Sequence, residues 1–340
     1  MKAFKYILFL LLIGLIGTAI YIAVQPNEFA FSRSKVINAP ASIIYNKVND
    51  FKNWPDFSPW IEQEPNATLT YGETTSGVDG NYAWNGEILG EGSMNTLAVD
   101  ANKSINQHIS FIKPFESESD IDWSFESTNE GTKVTWSMNG KQDFMTKMYT
   151  TFAGSIEETT GPDFERGLFK LDSIVTADMN KFSISIDGIT EYGGGFYMYK
   201  TTSATGTNIS QIMGKQYGEI MGYMANNSIT QSGMPFTIYD DMTSQANNII
   251  MSQAIPVMNK ITVARDSEVL CGFIPKTKTL KVIVKGNYTN LPKGWEAAMT
   301  HLAKNNLSQS DTKPFEIYTT DPGNFPNPAD WVTEIYIPIK

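Results

Sequence analysis

Cysteine occurs once in this chain, at Cys271, and histidine twice, at His108 and His301. A single thiol makes no internal disulfide, so the fold rests on core packing in any redox compartment. With no histidine near it in sequence, Cys271 reads as a small apolar residue rather than a nucleophile. Thiolate zinc sites, histidine-rich metal sites and a serine hydrolase triad lack material, and no metal or cofactor is expected. No glycine-rich phosphate loop follows a strand. The glycines of "EYGGGFYMY" (191–199) precede no Lys-Ser/Thr and read as a flexible turn. Positive charge is scarce too: the net charge is −10, and −12 once Lys2 and Lys5 are set aside. Such a body is a poor partner for nucleic acid or anionic lipid.

What is present begins with an uncharged, mostly apolar run over residues 6–24, close to the roughly 20 residues that cross a bilayer as a helix. A cleaved signal peptide is the alternative, but its apolar region is typically about 7 to 15 residues, and "AIYIAVQP" offers a poor cleavage site. Residues 1–27 are therefore expected to be a single-pass signal anchor in the cytoplasmic (inner) membrane. Lys2 and Lys5 keep the N-terminus in the cytoplasm and place the body outside.

The body is long enough for two domains. "FSRSKVI" alternates as a strand, and "PASIIYNKVNDF" sets Ile43, Ile44, Val48 and Phe51 on one helical face. Five segments from "GNYAWNGEI" to "GTKVTWSMNGK" then read as antiparallel strands divided by turn residues. Next the period changes. Phe144, Met148, Phe152 and Ile156, then Phe164, Leu168, Leu171 and Val175, predict a helical hairpin or one long helix interrupted near "TTGPD" at Pro162. This α+β unit, residues 28–180, resembles the START-like (SRPBCC, polyketide cyclase-like) helix-grip domains, on "VINAPASIIYNKVNDFKNWPDFSPW", "YAWNGEILGEG" and the terminal helix. The resemblance implies a curved sheet around a long helix with an apolar cavity between, and no shared catalytic residue. Trp54, Trp60, Trp84, Trp123 and Trp136 are candidates for the cavity or its mouth, with ordinary core packing as the alternative.

From residue 183 one pattern is written twice. "MPFTIYDD" and "AIPV" in 183–260 are echoed by "KPFEIYTT" and "YIPI" in 263–340, each half in β-α-β-β order. One strand pair and one helix close a poor core alone, so the halves are expected to pair into one sheet with both helices on a face. Residues 183–340 resemble GyrI-like or AraC-type effector-binding domains of SOUL-like fold, most closely in "VIVKGNYTNLPKGWEAAMTHLAKNNL", "KPFEIYTTDPGN" and "DWVTEIYIPI". The resemblance implies an aromatic-lined cleft, and a glutamate on the last strand that contacts ligand, here Glu334. Strand alternation groups Val332, Glu334 and Tyr336, and Tyr318, Tyr288, Tyr239 and Trp295 are the expected aromatic partners. The regulators of this family carry a DNA-reading helix-turn-helix; this chain carries an apolar segment and a START-like unit instead. The expected function is a membrane-anchored binding protein for a small hydrophobic or amphipathic ligand, with cations among the candidates, and more readily a non-enzyme. A hydrolase centred on Glu334 and a non-catalytic scaffold are the alternatives.

Overall fold

The computed structural model describes residues 2–205, 208–241 and 248–340. It divides into two compact units, Met1–Asp178 and Met179–Lys340.

The first unit opens with helix α1 (Lys2–Ala23), whose segment Phe4–Ala23 has mean hydropathy 2.4 and is long enough to cross a bilayer. Strand β1 (Glu28–Ile37) leads to helix α2 (Ala41–Asn49), which buries Ile44, Tyr45 and Val48. Over "NWPDFSPW" the chain makes two more short helices, α3 (Trp54–Phe57) and α4 (Pro59–Gln63). Proline in the first turn costs no hydrogen bond, and the Ser58 hydroxyl caps α4 by accepting from the Ile61 amide.

Strands β2 (Thr68–Tyr71), β3 (Asn81–Gly86), β4 (Gly90–Asp100), β5 (Ser104–Lys113), β6 (Ser117–Thr128) and β7 (Gly131–Lys141) complete an antiparallel sheet. Its order is β1-β7-β6-β5-β4-β3-β2, with the short edge strand β2 added to those expected. Helices α5 (Phe144–Ala153) and α6 (Ile156–Met179) follow, and α6 buries Phe164, Leu168, Leu171 and Val175.

One expectation for this region is corrected. The interruption falls at Gly154, with φ of 101°, not at Pro162, which lies inside α6. A reciprocal capping box sets the boundary: Glu158 N–H donates to the Ser155 hydroxyl, and Ser155 N–H donates to the Glu158 carboxylate. The Phe144, Met148 and Phe152 stripe is exposed.

The tryptophans fill the grip. Trp54, Trp123 and Trp136 are at most 1% exposed, and Trp136 stacks between Trp123 and Phe164 with ring centroids 4.3 and 4.0 Å away. Trp84 is buried too, and Trp60 meets Trp136 and Phe164 edge-on. The core alternative thus describes these rings.

The second unit contains strands β8 (Ser183–Tyr192) and β9 (Gly195–Thr205), helix α7 (Ile209–Asn226), and strands β10 (Phe236–Asp241), β11 (Asn248–Val257), β12 (Leu270–Ile274) and β13 (Thr277–Lys285). Helix α8 (Leu291–Lys304) and strands β14 (Phe315–Tyr318) and β15 (Val332–Pro338) end the chain. One antiparallel sheet runs β12-β9-β11-β10-β14-β15-β13-β8. The repeated β-α-β-β pattern is β9-α7-β10-β11 and β13-α8-β14-β15. The leading strands are exchanged between halves, β8 pairing with β13 and β12 with β9.

The two sheet margins converge. Tyr192 pairs with Thr277 at one margin and Gly195 with Ile274 at the other, with only Gly193 and Gly194 between them. Gly194 has φ of 73°, and a Cβ there would lie 2.4 Å from the Ile274 carbonyl oxygen. The glycines read as a flexible turn therefore make a close crossing. Both helices lie on one face, where α8 covers Val282, Val284, Ile335 and Ile337 and α7 covers Met198, Ile255 and Val257. The other face gathers Phe236, Ile238, Ala254, Phe315 and Tyr336.

Candidate functional site

The twice-written "PF-x-IY" becomes the two central strands. In register, Thr237 faces Glu316, Phe236 faces Ile317 and Ile238 faces Phe315. Matching amide bonds, Tyr239 N–H to Pro314 C=O at 3.0 Å and Tyr318 N–H to Pro235 C=O at 3.1 Å, tie the copies about this axis. Residues opposite one another in an antiparallel pair share a face. Phe236, Phe315 and their alternates turn away from the helices, while the "x" residue and the tyrosine of each copy turn toward them.

Glu316 is the charged member of that set, and it is wholly buried. Its carboxylate accepts from the Tyr239 hydroxyl at 2.8 Å, the Tyr318 hydroxyl at 2.9 Å and the indole N–H of Trp295 on α8. The Thr237 hydroxyl sits 3.1 Å from Tyr318 and 3.0 Å from Tyr217 on α7. A hydroxyl has one proton, so Tyr217 donating to Thr237, Thr237 to Tyr318 and Tyr318 to Glu316 satisfies the whole chain. The rings close around it: Tyr239 meets Trp295 edge-on at 5.1 Å, and Tyr318 meets Tyr288 at 5.5 Å and Tyr217 at 6.4 Å.

Burial pushes the Glu316 carboxyl above the ordinary range, against the pull of its three donors. Among the described residues no basic side chain pairs with it. Burial beside this acid also drives Tyr239 and Tyr318 well up, and burial takes Tyr288 to about 12, so all three hydroxyls stay protonated. Among the described residues, four buried polar atoms on or beside this face find no partner: Gln253 Nε2 and Oε1, Gln216 Oε1 and Thr333 Oγ1. Gln253 lies opposite Thr237 in register, and Thr333 opposite Tyr318.

The residues expected from sequence fall into two groups. Tyr318, Tyr288, Tyr239 and Trp295 converge, but on Glu316. Glu334 and Tyr336 lie on the opposite face, where the Tyr336 hydroxyl donates to Glu334 at 2.7 Å and Lys281 Nζ sits 2.9 Å from the same carboxylate. Glu334 is thus already neutralised by a lysine, itself paired with Asp187. Glu316 lies within "KPFEIYTT" but is not among the residues expected from sequence. Alternation would have put that residue beside Tyr318, and within the shared "PF-x-IY" it is the position where the copies differ in charge, Thr237 in one and Glu316 in the other.

Comparison with known proteins adds two matches, in chain order. Residues 37–169 match the family model described as polyketide cyclase / dehydrase and lipid transport, and residues 196–340 match the GyrI-like small molecule binding domain. No curated protein matches the chain. Among solved structures, the C-terminal domain of EcmrR is 21% identical over 47% of this chain and 98% of that chain, with a TM-score of 0.39. An EcmrR–DNA complex gives 17% identity over 59% and 86%, with a TM-score of 0.41. Protein MLL2253 from Mesorhizobium loti gives 14% over 44% and 98%, with a TM-score of 0.33. The two family matches make small-molecule binding the common theme of the body.

Proposed function

We propose that this chain is a single-pass, membrane-anchored binding protein whose C-terminal unit takes up a small amphipathic cation at Glu316. The observation that carries the reading is a wholly buried carboxylate with three neutral donors, aromatic walls and, among the described residues, no basic partner. Neutral donors offset only part of the cost of holding a carboxylate out of water. A cationic ligand supplies the missing charge, and the faces of Trp295, Tyr239 and Tyr288 suit its positive centre. The anchor is the apolar helix Phe4–Ala23, with the body outside the cytoplasmic membrane.

Calorimetric titration with an aromatic quaternary ammonium ion and its neutral tert-butyl isostere tests the site. Glu316→Gln should cost roughly 2 to 5 kcal/mol of affinity for the cation and much less for the isostere. Equal loss for both compounds, or none for either, removes Glu316 as the recognition carboxylate. Unchanged binding with lost turnover of a substrate would favour the hydrolase alternative, with the carboxylate acting at the transition state.

A further inference from the structure

We infer that α5 lies in the interfacial layer of the bilayer, beside the point where α1 leaves it, and so fixes the first unit against the membrane surface. This rests on the reading of α1 as a membrane-crossing helix. The polarity of α5 is inverted for a helix on a protein core. Its exposed side carries Phe144, Met145, Met148, Tyr149 and Phe152, the last two 60% and 75% exposed. Its inward side carries Lys147, 4% exposed, with Thr150 and Thr151 partly buried. At 100° per residue, positions 144, 145, 148, 149 and 152 form one stripe, with Lys147 turned away from it. A stripe of this kind needs a second apolar phase.

The surroundings of α5 identify that phase as lipid. Lys147 Nζ donates to the carbonyl oxygen of Ala23, the last residue of α1, at 3.3 Å, and to the side chain of Asn27. The ammonium thereby satisfies the C-terminal end of α1, where a positive charge is favourable. Ile22 is buried at this junction, whereas Phe4 through Tyr21 expose their large apolar side chains. The stripe is therefore held at the level where α1 emerges.

The sheet points the same way. Glu28 pairs with Lys141, Gly140 with Ser119, Phe111 with Ser117, Lys113 with Glu91, and Gly86 with Gly90. The β5–β6 and β3–β4 turns thus lie at the sheet end from which α1 departs, and their tips expose Phe115 at 65% and Ile88 at 70%. Aromatic and aliphatic side chains around an emerging helix are the composition of a membrane–water interface. The helix sequence "FMTKMYTTFA" contains no acid, and its one charge is internal, so insertion needs no anionic lipid.

The test uses the full chain in phosphatidylcholine vesicles. In a Cys271→Ala background, an environment-sensitive fluorophore is placed at Leu12→Cys, Phe152→Cys or, as a water-exposed reference, Glu130→Cys. Lipid-borne nitroxide should quench the label at 152 at least about twofold more than at 130, with a blue-shifted emission and little change with salt. Quenching at 12 without quenching at 152 overturns the docking and leaves the anchor standing. No quenching at 12 overturns the anchor reading and the docking with it. A benzophenone side chain at position 152 with Cys271 retained checks the result in the otherwise unaltered chain: light-driven capture of lipid supports the inference, and capture of a second copy overturns it.

Discussion

Glu316 faces Ile335 and Glu334 faces Ile317 in the same strand pair, so the two carboxylates leave opposite sides of one sheet. Glu316 meets hydroxyls and an indole under the helices; Glu334 meets Lys281. Glu316→Gln and Glu334→Gln are therefore expected to separate. The first should abolish the preference for a cationic over a neutral ligand, and the second should leave that preference within about twofold, because its charge is already paired. Parallel titrations of the two variants check this.

The raised pKa of Glu316 makes both stability and binding depend on pH. Folded Glu316 holds its proton to a higher pH than the roughly 4.3 of an unfolded glutamate. Between those two values the folded state binds more protons, so its contribution to stability falls as pH rises, by up to about 1.4 kcal/mol per unit, and then levels off. Cation affinity should run the other way, rising up to about tenfold per unit until the carboxyl is ionised, with a proton released on binding. Titrations in buffers of different ionisation enthalpy measure that proton, and Glu316→Gln should remove it.

Trp295 supplies one of the three donors to the carboxylate. Trp295→Phe keeps the ring and removes the N–H. It should cost about 1.5 to 3 kcal/mol at a pH where Glu316 is ionised, as for a hydrogen bond to a charged group, and less where it is neutral. Denaturant melts at the two pH values check the difference. A cost that does not change with pH would assign the loss to packing.

In the first unit, a Cβ on Gly167 would come 2.6 Å from Trp136 Cζ3 and 3.2 Å from Pro59 Cδ. Trp136 is stacked between Trp123 and Phe164 and has nowhere to go. Gly167→Ala gains about 1 kcal/mol of helix propensity, but overpacking should cost about 1 to 3 kcal/mol, so net destabilisation is expected. Trp136→Ala, which empties the centre of the stack, should cost about 3 to 5 kcal/mol. Denaturant melts followed by tryptophan fluorescence test both.

The sequence by itself determined the order of parts: an apolar helix, an antiparallel sheet gripping a long helix, and a twice-written β-α-β-β unit. Each rests on a local rule, namely hydropathy over about 20 residues, a period of two or 3.6, and repeated turn chemistry. The paired tyrosines, Tyr239 and Tyr318, were legible for the same reason. Tertiary structure decided what those rules do not reach. Which carboxylate lies under the helices depends on the face that α7 and α8 cover, and alternation gives the grouping of residues on a strand without saying which group is covered. The exchange of β8 and β12 is a long-range pairing that no window of sequence contains. The Phe144, Met148 and Phe152 stripe was plain as a period, but its direction was set by Lys147, whose ammonium is drawn inward to the free carbonyl at the end of α1. Periodicity fixes which residues share a side, and only the packing of distant segments fixes what that side meets.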